Sequence, residues 1–246
     1  MSERSEEFRL RRRTWALRGC LPLLDLIAAW HRLEVEGAAH LPTRGAALLV
    51  VKHRATRDSL LLSQLLYRTT GRMANYWMKY RAAGLPPQLL ERFGGIPVIR
   101  PQDILRLKTP AQRRAQLRKA RAMCDEARAY VTWLYRRGEL VVVYPEGTFY
   151  PDRIGPLYTG ALRQVHRLTR TRGLTIPIVP IGTAYERRGG LRPPARFQIG
   201  PPLDATAFPT CASLVNRIRE QLQTLSGLST ADSAGATSVP APRNRK

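Results

Sequence analysis

The stretch from Leu140 to Thr148 reads Leu-Val-Val-Val-Tyr-Pro-Glu-Gly-Thr and joins the most strand-like run of the chain to a loop. Four consecutive aliphatic residues followed by a turn signal predict a buried β-strand. Gly147 lets the backbone approach a ligand closely, and Thr148 adds a hydroxyl donor. Glu146 is suited to receive a substrate hydroxyl or to bind a cationic side chain, although an ordinary turn with a solvated acid has the same residues. The stretch therefore predicts a strand that delivers polar groups to one edge of a sheet.

On both sides of this strand, short apolar runs alternate with helical patterns. Predicted strands cover residues 46–51, 75–78, 96–99, 140–144, 176–181 and 197–199, and predicted helices cover residues 60–67, 86–93, 109–137, 160–171 and 213–225. This alternation favours an α/β fold with a single domain, in which a mixed, largely parallel sheet is flanked by helices. We assign that domain to residues 33–225 and expect the tail, residues 226–246, to be disordered because Ser, Ala, Thr, Gly and Pro dominate it.

The N-terminal segment, residues 1–32, is basic and has the pattern of an amphipathic helix from about residue 8. It mixes several arginines with aromatic residues such as Trp15 and Trp30. A basic helix with aromatic anchors can lie in a membrane interface, whereas a helix docked on the domain explains the same pattern. Pro22 is expected to kink this helix or to split it in two.

The charge balance is strongly basic: 41 Lys and Arg face 18 Asp and Glu, which gives the 246 residues a formal net charge of +23. Such a charge attracts nucleic acid, anionic lipid head groups or an acidic protein, and a solvated surface is the plain alternative. The three cysteines are widely spaced and suggest neither a disulfide framework nor a zinc site, which favours a reducing compartment. The sequence has no apolar run of about 20 residues that could span a bilayer.

A His-x4-Asp motif follows the first predicted strand of the domain, with His53 just past the strand and Asp58 five residues on. Positions five apart on a helix do not face one another, so a turn that runs into a helix near Thr56 is needed to bring the two side chains together. A carboxylate bonded to one imidazole nitrogen fixes the tautomer and leaves the other nitrogen as a base. The alternative is a loop histidine and an aspartate that merely favours a helix N-terminus.

Two further segments complete the pattern. Residues 94–100, Gly-Gly-Ile-Pro-Val-Ile-Arg, end a predicted strand with Arg100, a side chain well shaped to bind phosphate. Residues 176–181, Ile-Pro-Ile-Val-Pro-Ile, form an apolar strand interrupted by prolines, which favours an irregular wall near a site.

In this order, the four segments resemble the four motifs of the glycerophosphate and lysophosphatidic acid acyltransferase family over roughly residues 35–203. The resemblance implies that His53 is the general base and Asp58 its partner. It further implies that Arg100, Glu146 and Gly147, with the neighbouring Thr148, bind the acceptor.

The family's reaction moves a fatty acyl group from acyl-CoA or acyl carrier protein to a hydroxyl of a lysophospholipid, with 1-acylglycerol-3-phosphate the leading acceptor. The resemblance implies a peripheral or monotopic enzyme of phospholipid biosynthesis at the cytoplasmic face of the cell membrane, in contact with anionic lipids. No metal or other cofactor is expected, because the sequence has no metal-ligand cluster and the thioester is a co-substrate. No nucleic acid is expected as a partner.

Several positions depart from the family pattern. Lys52 stands where the family usually has Asn, and Ile99 where it prefers Asp; Phe149 and Tyr158 replace a usual Arg and Lys. These changes leave an acceptor other than a glycerophosphate as an alternative, together with an inactive lipid-binding relative. A basic nucleic-acid-binding protein is the alternative from a different class, although no nucleic-acid-binding motif supports it.

Overall fold

The computed structural model describes residues 8–80, 82–100, 103–104, 109–185 and 193–228. The strands are β1 (Arg32–Glu36), β2 (Ala47–Val51), β3 (Ala74–Lys79), β4 (Gly95–Val98), β5 (Leu140–Val143), β6 (Ile178–Tyr185) and β7 (Pro194–Ile199). The helices are α1 (Thr14–Ala29), α2 (Arg57–Thr70), α3 (Pro87–Arg92), α4 (Pro110–Arg136), α5 (Gly160–Arg172) and α6 (Cys211–Leu225), with short 3₁₀ turns at Ala38–His40, Ala82–Gly84 and Ala205–Ala207.

The described strands form one seven-stranded sheet in the order β1-β7-β6-β2-β5-β3-β4. Neighbouring strands are parallel except β6 and β7, which pair antiparallel. In the centre, β2 lies between β5 and β6, with Val50 opposite Val143 and Val51 opposite Ile181. The loops that leave β2 and β5 therefore emerge side by side at the same edge of the sheet, where ligand sites of open α/β sheets gather.

Helices cover both faces of the sheet, and each face has its own hydrophobic core. Alternate side chains of β2 and β5 point to opposite faces, so Leu48 and Val50 pack with α4, α5 and α6, while Leu49 and Val51 pack with α2. Because both faces are buried, the central strands read as continuous aliphatic runs. The predicted single α/β domain with a mixed, largely parallel sheet is confirmed.

The N-terminal segment differs from the predicted helix over residues 8–32. Residues 8–13 are irregular and tied to the domain: the Arg11 N–H donates to the Tyr130 hydroxyl at 3.0 Å, and the Arg13 N–H donates to the Arg92 carbonyl at 2.9 Å. Helix α1 then runs through Pro22 as one element, so the proline does not split it.

The sequence pattern missed β1 and placed the end of β6 too early. β1 is a short strand of alternating polar and apolar residues, and its partner β7 lies 162 positions further along the chain. Local periodicity alone was therefore too weak to predict it. β6 continues to Tyr185 despite Pro180, because the carbonyl of that residue accepts from Gly200 and the strand holds its place between β2 and β7. The predicted disordered tail lies outside the described residues beyond Leu228.

Candidate active site

The loop between β2 and α2 folds around the Asp58 carboxylate. Asp58 lies in the first turn of α2, fully buried, and its Oδ2 accepts the backbone N–H groups of Arg54 at 2.7 Å and Ala55 at 2.9 Å. The same oxygen lies 3.0 Å from His53 Nδ1. The bend ahead of the helix thus brings the two motif residues together. An ionised carboxylate can only accept, so Nδ1 carries the proton and Nε2 is left as the basic nitrogen.

A third side chain, Tyr185 at the end of β6, completes this arrangement. Its hydroxyl donates to the other carboxylate oxygen of Asp58, and the Arg57 guanidinium lies 4.3 Å from the centre of its ring. Burial, followed by the nearby Asp58 charge, raises the pKa of Tyr185, so the phenol remains a donor over the physiological range. No sequence pattern pointed to this residue, because 127 positions separate it from Asp58.

Two aromatic rings hold the His53 imidazole. Tyr144 stacks on it with ring centroids 4.2 Å apart, and Phe149 lies at 4.4 Å in a tilted arrangement. Both belong to the loop after β5, so this loop packs directly against the histidine. The ring orientation is therefore set by Asp58 on one side and by aromatic packing on the others.

Glu146 lies beneath the site and does not line the cavity described below. Its carboxylate is bonded to Lys52 Nζ at 2.8 and 2.9 Å, and both side chains are fully buried. It also accepts the backbone N–H of His53 at 3.1 Å and that of Gly155 at 2.7 Å. This geometry differs from the expected contact between Glu146 and the acceptor: the carboxylate ties the β2 loop to the β5 loop.

The identity of Lys52 accounts for part of this difference. Burial lowers the pKa of Lys52, while the attraction of Glu146 opposes that effect. The ammonium group also donates to the Tyr150 carbonyl at 2.5 Å. Since its three donors are used by Glu146 and Tyr150, Lys52 acts as a tie between the two loops.

Gly147 and Thr148 lie where the sequence predicted, at the edge beside His53, and both line the cavity. Gly147 has φ +64°, and a Cβ on it would approach the Tyr158 ring to 2.8 Å. Only glycine fits this left-handed turn without displacing the ring. Tyr158 thus covers Gly147, a residue that the family resemblance implies to bind the acceptor.

Arg100 reaches the same edge, but its guanidinium is already engaged. It forms two bonds of 3.0 Å with the Asp103 carboxylate and donates to the Gly147 carbonyl. Although burial opposes the effect, the bonds from Arg100 hold the pKa of Asp103 below its ordinary value. Arg100 therefore braces the β5 loop while still lining the cavity.

A cavity of about 610 Å³ extends from His53 across the carboxyl ends of β5, β3 and β4. Its walls are largely apolar or aromatic and include Trp77, Met78, Val98, Val143, Tyr144 and Phe149. The cations Lys79, Arg100 and Arg128 also line it. A basic histidine beside a long apolar cavity with cationic groups suits an amphiphilic, anionic substrate.

Comparisons with known proteins identify the family and the fold of the chain. A family model described as Acyltransferase matches residues 32–184, which is more than half of the chain. Among solved structures, the chain is similar to the 1-acyl-sn-glycerophosphate (LPA) acyltransferase PlsC from Thermotoga maritima, with a TM-score of 0.57 and 16% identity. That likeness covers 91% of this chain and 84% of the other, and at this identity it establishes the fold. No curated protein sequence matches significantly. The chain belongs to the acyltransferase family and is an O-acyltransferase, as the order of its four motifs predicted.

Proposed function

We propose that the protein transfers a fatty acyl group from an acyl thioester to a hydroxyl of a lysophospholipid at a membrane surface. The observation that carries this proposal is the His53–Asp58 pair, whose imidazole lines a cavity with largely apolar walls. Acyl chains fit apolar walls, and a hydroxyl acceptor needs a base.

The reaction follows from the position of His53. The acceptor hydroxyl donates its proton to Nε2 while its oxygen attacks the thioester carbonyl, and the carbonyl electrons move to oxygen. As the tetrahedral intermediate collapses, the carbon–sulfur bond breaks and the leaving thiolate takes the proton back from the imidazolium. Asp58 stabilises the imidazolium and keeps its orientation, which is the role of a buried carboxylate beside a catalytic histidine.

Direct attack is preferred over a covalent route. Cys124 does line the cavity, although it lies outside the four motifs. Burial raises the pKa of its thiol, so the reactive thiolate is disfavoured. Cys124 is therefore interpreted as part of the cavity wall that α4 forms, and not as a nucleophile.

For the acceptor, 1-acylglycerol-3-phosphate is the first candidate, with Lys79, Arg100 and Arg128 as the cations available along the cavity. A lysolipid without the terminal phosphate is the second. It is favoured by Phe149 beside His53 and by Tyr158 over Gly147, where cations were expected, and by the engagement of Arg100 with Asp103.

Membrane contact is assigned to α1. Its exposed apolar residues are Trp15, Leu23, Leu26 and Trp30, and the two tryptophans are 71% and 69% exposed. At 100° per residue, these four positions fall within about 80° of the helix circumference and form one stripe, which we call the α1 stripe. Tryptophan and leucine on one face of a surface helix are suited to insertion between lipid head groups.

The α1 stripe leads towards the active-site edge. His31, just beyond the helix, has its ring 6.5 Å from that of Tyr185, which contacts Asp58. Within the described ranges, no helix is both long and apolar enough to cross a bilayer. The proposed attachment is therefore peripheral or monotopic, with anionic lipids attracted by the net charge of +23. The free state of Cys20, Cys124 and Cys211 supports the cytoplasmic face.

The test uses purified protein with labelled acyl thioester and a panel of lysolipids in vesicles, followed by identification of the lipid product. We expect an acylated phospholipid from the wild type and a loss of roughly 10²- to 10⁴-fold in the rate with His53→Ala, because the base is removed. His40→Ala is the matched control, since His40 Nδ1 contacts the Ile199 carbonyl away from the cavity. Near-normal turnover by His53→Ala, or no acyl transfer to any lysolipid by the wild type, contradicts the proposal.

A further inference from the structure

The first half of α4 presents a dense row of cations to the solvent. Five of the thirteen residues from 110 to 122 are Arg or Lys, and none is Asp or Glu. All five, Arg113, Arg114, Arg118, Lys119 and Arg121, are exposed. Arg114, Arg118 and Arg121, with Arg128 two turns further on, fall within about 80° of the helix circumference. We call these four residues the α4 row.

The helix does not need this row for its own stability. Arg114 and Arg118 repel each other as like charges four positions apart, and Arg118 and Arg121 do so at three positions. The side of α4 that packs on the sheet is a different one, with Ala120, Ala127, Tyr130 and Val131. The α4 row therefore opposes helix formation locally, and a polyanion bound to it would remove that repulsion.

The row leads to the active-site cavity. Cys124 and Arg128 of α4 both line the cavity, and Arg128 is also exposed. At 1.5 Å per residue, Arg114 lies roughly 21 Å from Arg128 along the helix. A partner bound along the row thus ends beside the mouth of the cavity, within reach of a flexible arm that enters it.

The shape of the row favours a protein over a small phosphate compound. The side chains project from the convex surface of a helix, where a nucleotide finds no pocket. A row of about 21 Å matches the length of a short acidic helix of a partner protein.

A membrane is a poor fit to the same surface. Among the exposed large apolar residues of α4, only Leu117 lies near the row, so apolar anchors are scarce there. The α1 stripe lies on the other side of the molecule, because α1 packs on α2 while α4 packs on the opposite face of the sheet. A bilayer that receives the α1 stripe leaves the α4 row facing the aqueous side.

We propose that the α4 row is the docking surface for an acidic carrier protein that presents the acyl thioester on a flexible arm. This inference rests on the proposed acyl transfer and names the form in which the donor arrives. The acidic partner binds along Arg114, Arg118 and Arg121, and its arm places the thioester in the cavity beside Arg128.

The test compares two donors that bear the same acyl chain, an acylated acyl carrier protein and acyl-CoA, with the acceptor in zwitterionic vesicles. The variant is Arg114→Glu/Arg118→Glu/Arg121→Glu, which spares Arg128 because that residue lines the cavity. The three positions are exposed and lie off the side of α4 that packs on the sheet, so the variant is expected to fold. The control, Arg44→Glu/Arg167→Glu/Arg172→Glu, makes the same change of net charge at exposed positions off α4.

We expect kcat/KM with the acyl carrier protein to fall at least about tenfold in the α4 variant, with acyl-CoA changed by less than about twofold. Arg114→Gln/Arg118→Gln/Arg121→Gln should give an intermediate loss. Equal losses with both donors, an equal loss in the control, or a wild type that uses acyl-CoA but not the carrier protein overturns the inference and leaves the acyl transfer standing. Loss of binding to anionic vesicles with unchanged use of the carrier protein also overturns it, in favour of a lipid surface. Transfer from neither donor instead refutes the proposed function.

Discussion

The His53 imidazole is oriented by the Asp58 carboxylate, both of whose oxygens accept hydrogen bonds. Asp58, whose side chain is fully buried, accepts from His53, from two backbone N–H groups and from the Tyr185 hydroxyl. Hydrogen bonds to a charged group are stronger than those between neutral groups, and the low dielectric of the interior strengthens them further. At the scale of single residues, the position of the base therefore depends on side chains that never touch the substrate.

Removal of the Tyr185 hydroxyl tests this dependence. Tyr185→Phe keeps the ring under Arg57 but leaves one Asp58 oxygen without its donor, and we expect kcat to fall about ten- to a hundredfold. KM for the thioester should change little, because the ring does not line the cavity.

The control for this experiment is Tyr67→Phe, which removes a phenol from α2 away from the cavity. A Tyr185→Phe enzyme with the wild-type kcat would show that the hydroxyl has no positioning role. A drop in thermal stability alone, with both kinetic readouts unchanged, would lead to the same conclusion.

Lys52 and Glu146 offer a second test at the residue scale. Lys52→Met leaves a buried carboxylate without its cation, and breaking such a pair typically costs roughly 3–5 kcal/mol of unfolding free energy. Lys52→Met/Glu146→Gln removes the stranded charge and should recover part of that loss. Urea unfolding of the two single variants and the double variant gives the coupling energy. Additive effects would mean that the two side chains do not stabilise each other.

At the scale of elements, α1 is the part of the chain whose exposed surface is hardest to explain by the fold alone. Its buried side, which includes Leu24 and Ala28, packs towards α2 and β1. Asp25, at the edge of that side, pairs with Arg68 of α2. The opposite side, the α1 stripe, projects apolar side chains into solvent, and such a surface is normally covered by a partner.

Trp15→Ala/Trp30→Ala should weaken binding to phospholipid vesicles by at least about tenfold. The variant lacks the two large apolar side chains whose transfer from water into the bilayer favours binding. Sedimentation with vesicles measures the partition coefficient. Leu85→Ala/Leu117→Ala serves as the control, since both leucines are exposed but lie outside α1. Equal binding by the wild type and the tryptophan variant would remove α1 from the membrane contact.

At the scale of the whole molecule, the net charge of +23 acts on every anionic surface. Screening shortens the reach of that charge to ~10 Å at 0.1 M salt and ~3 Å at 1 M. The α1 stripe, in contrast, binds through apolar contact that salt does not screen.

Binding to anionic vesicles should therefore weaken as salt rises, but a residual binding that depends on the α1 stripe should persist at about 1 M. Vesicle sedimentation across a salt series, with a DNA fragment in parallel, distinguishes the classes of partner. Retention of DNA at physiological salt together with no residual vesicle binding would favour the nucleic-acid alternative.

The sequence alone determined the fold class and most of the chemistry. Alternating apolar runs and helical patterns specified an α/β domain, because burial on a sheet and on a helix imposes different local periods. The His-x4-Asp spacing predicted that His53 and Asp58 are in contact, because a bend followed by the first turn of a helix can bring positions five apart together. The structure has the two side chains in contact. Gly147 was expected from its residue type to allow a close approach of the backbone, and the structure has it in a left-handed turn against the Tyr158 ring.

What only the tertiary structure decided is which distant residues meet. The strand order places β2 beside β5, and this brings the carboxylate of Glu146 to Lys52, 94 positions away in sequence, and not into the cavity. The same order brings Tyr185 to Asp58, 127 positions apart, and the Arg100 guanidinium to the Gly147 carbonyl, 47 positions apart. Local periodicity shows which face of a strand is buried, but the choice of neighbouring strand depends on how the whole core packs, and that information is spread over the entire chain.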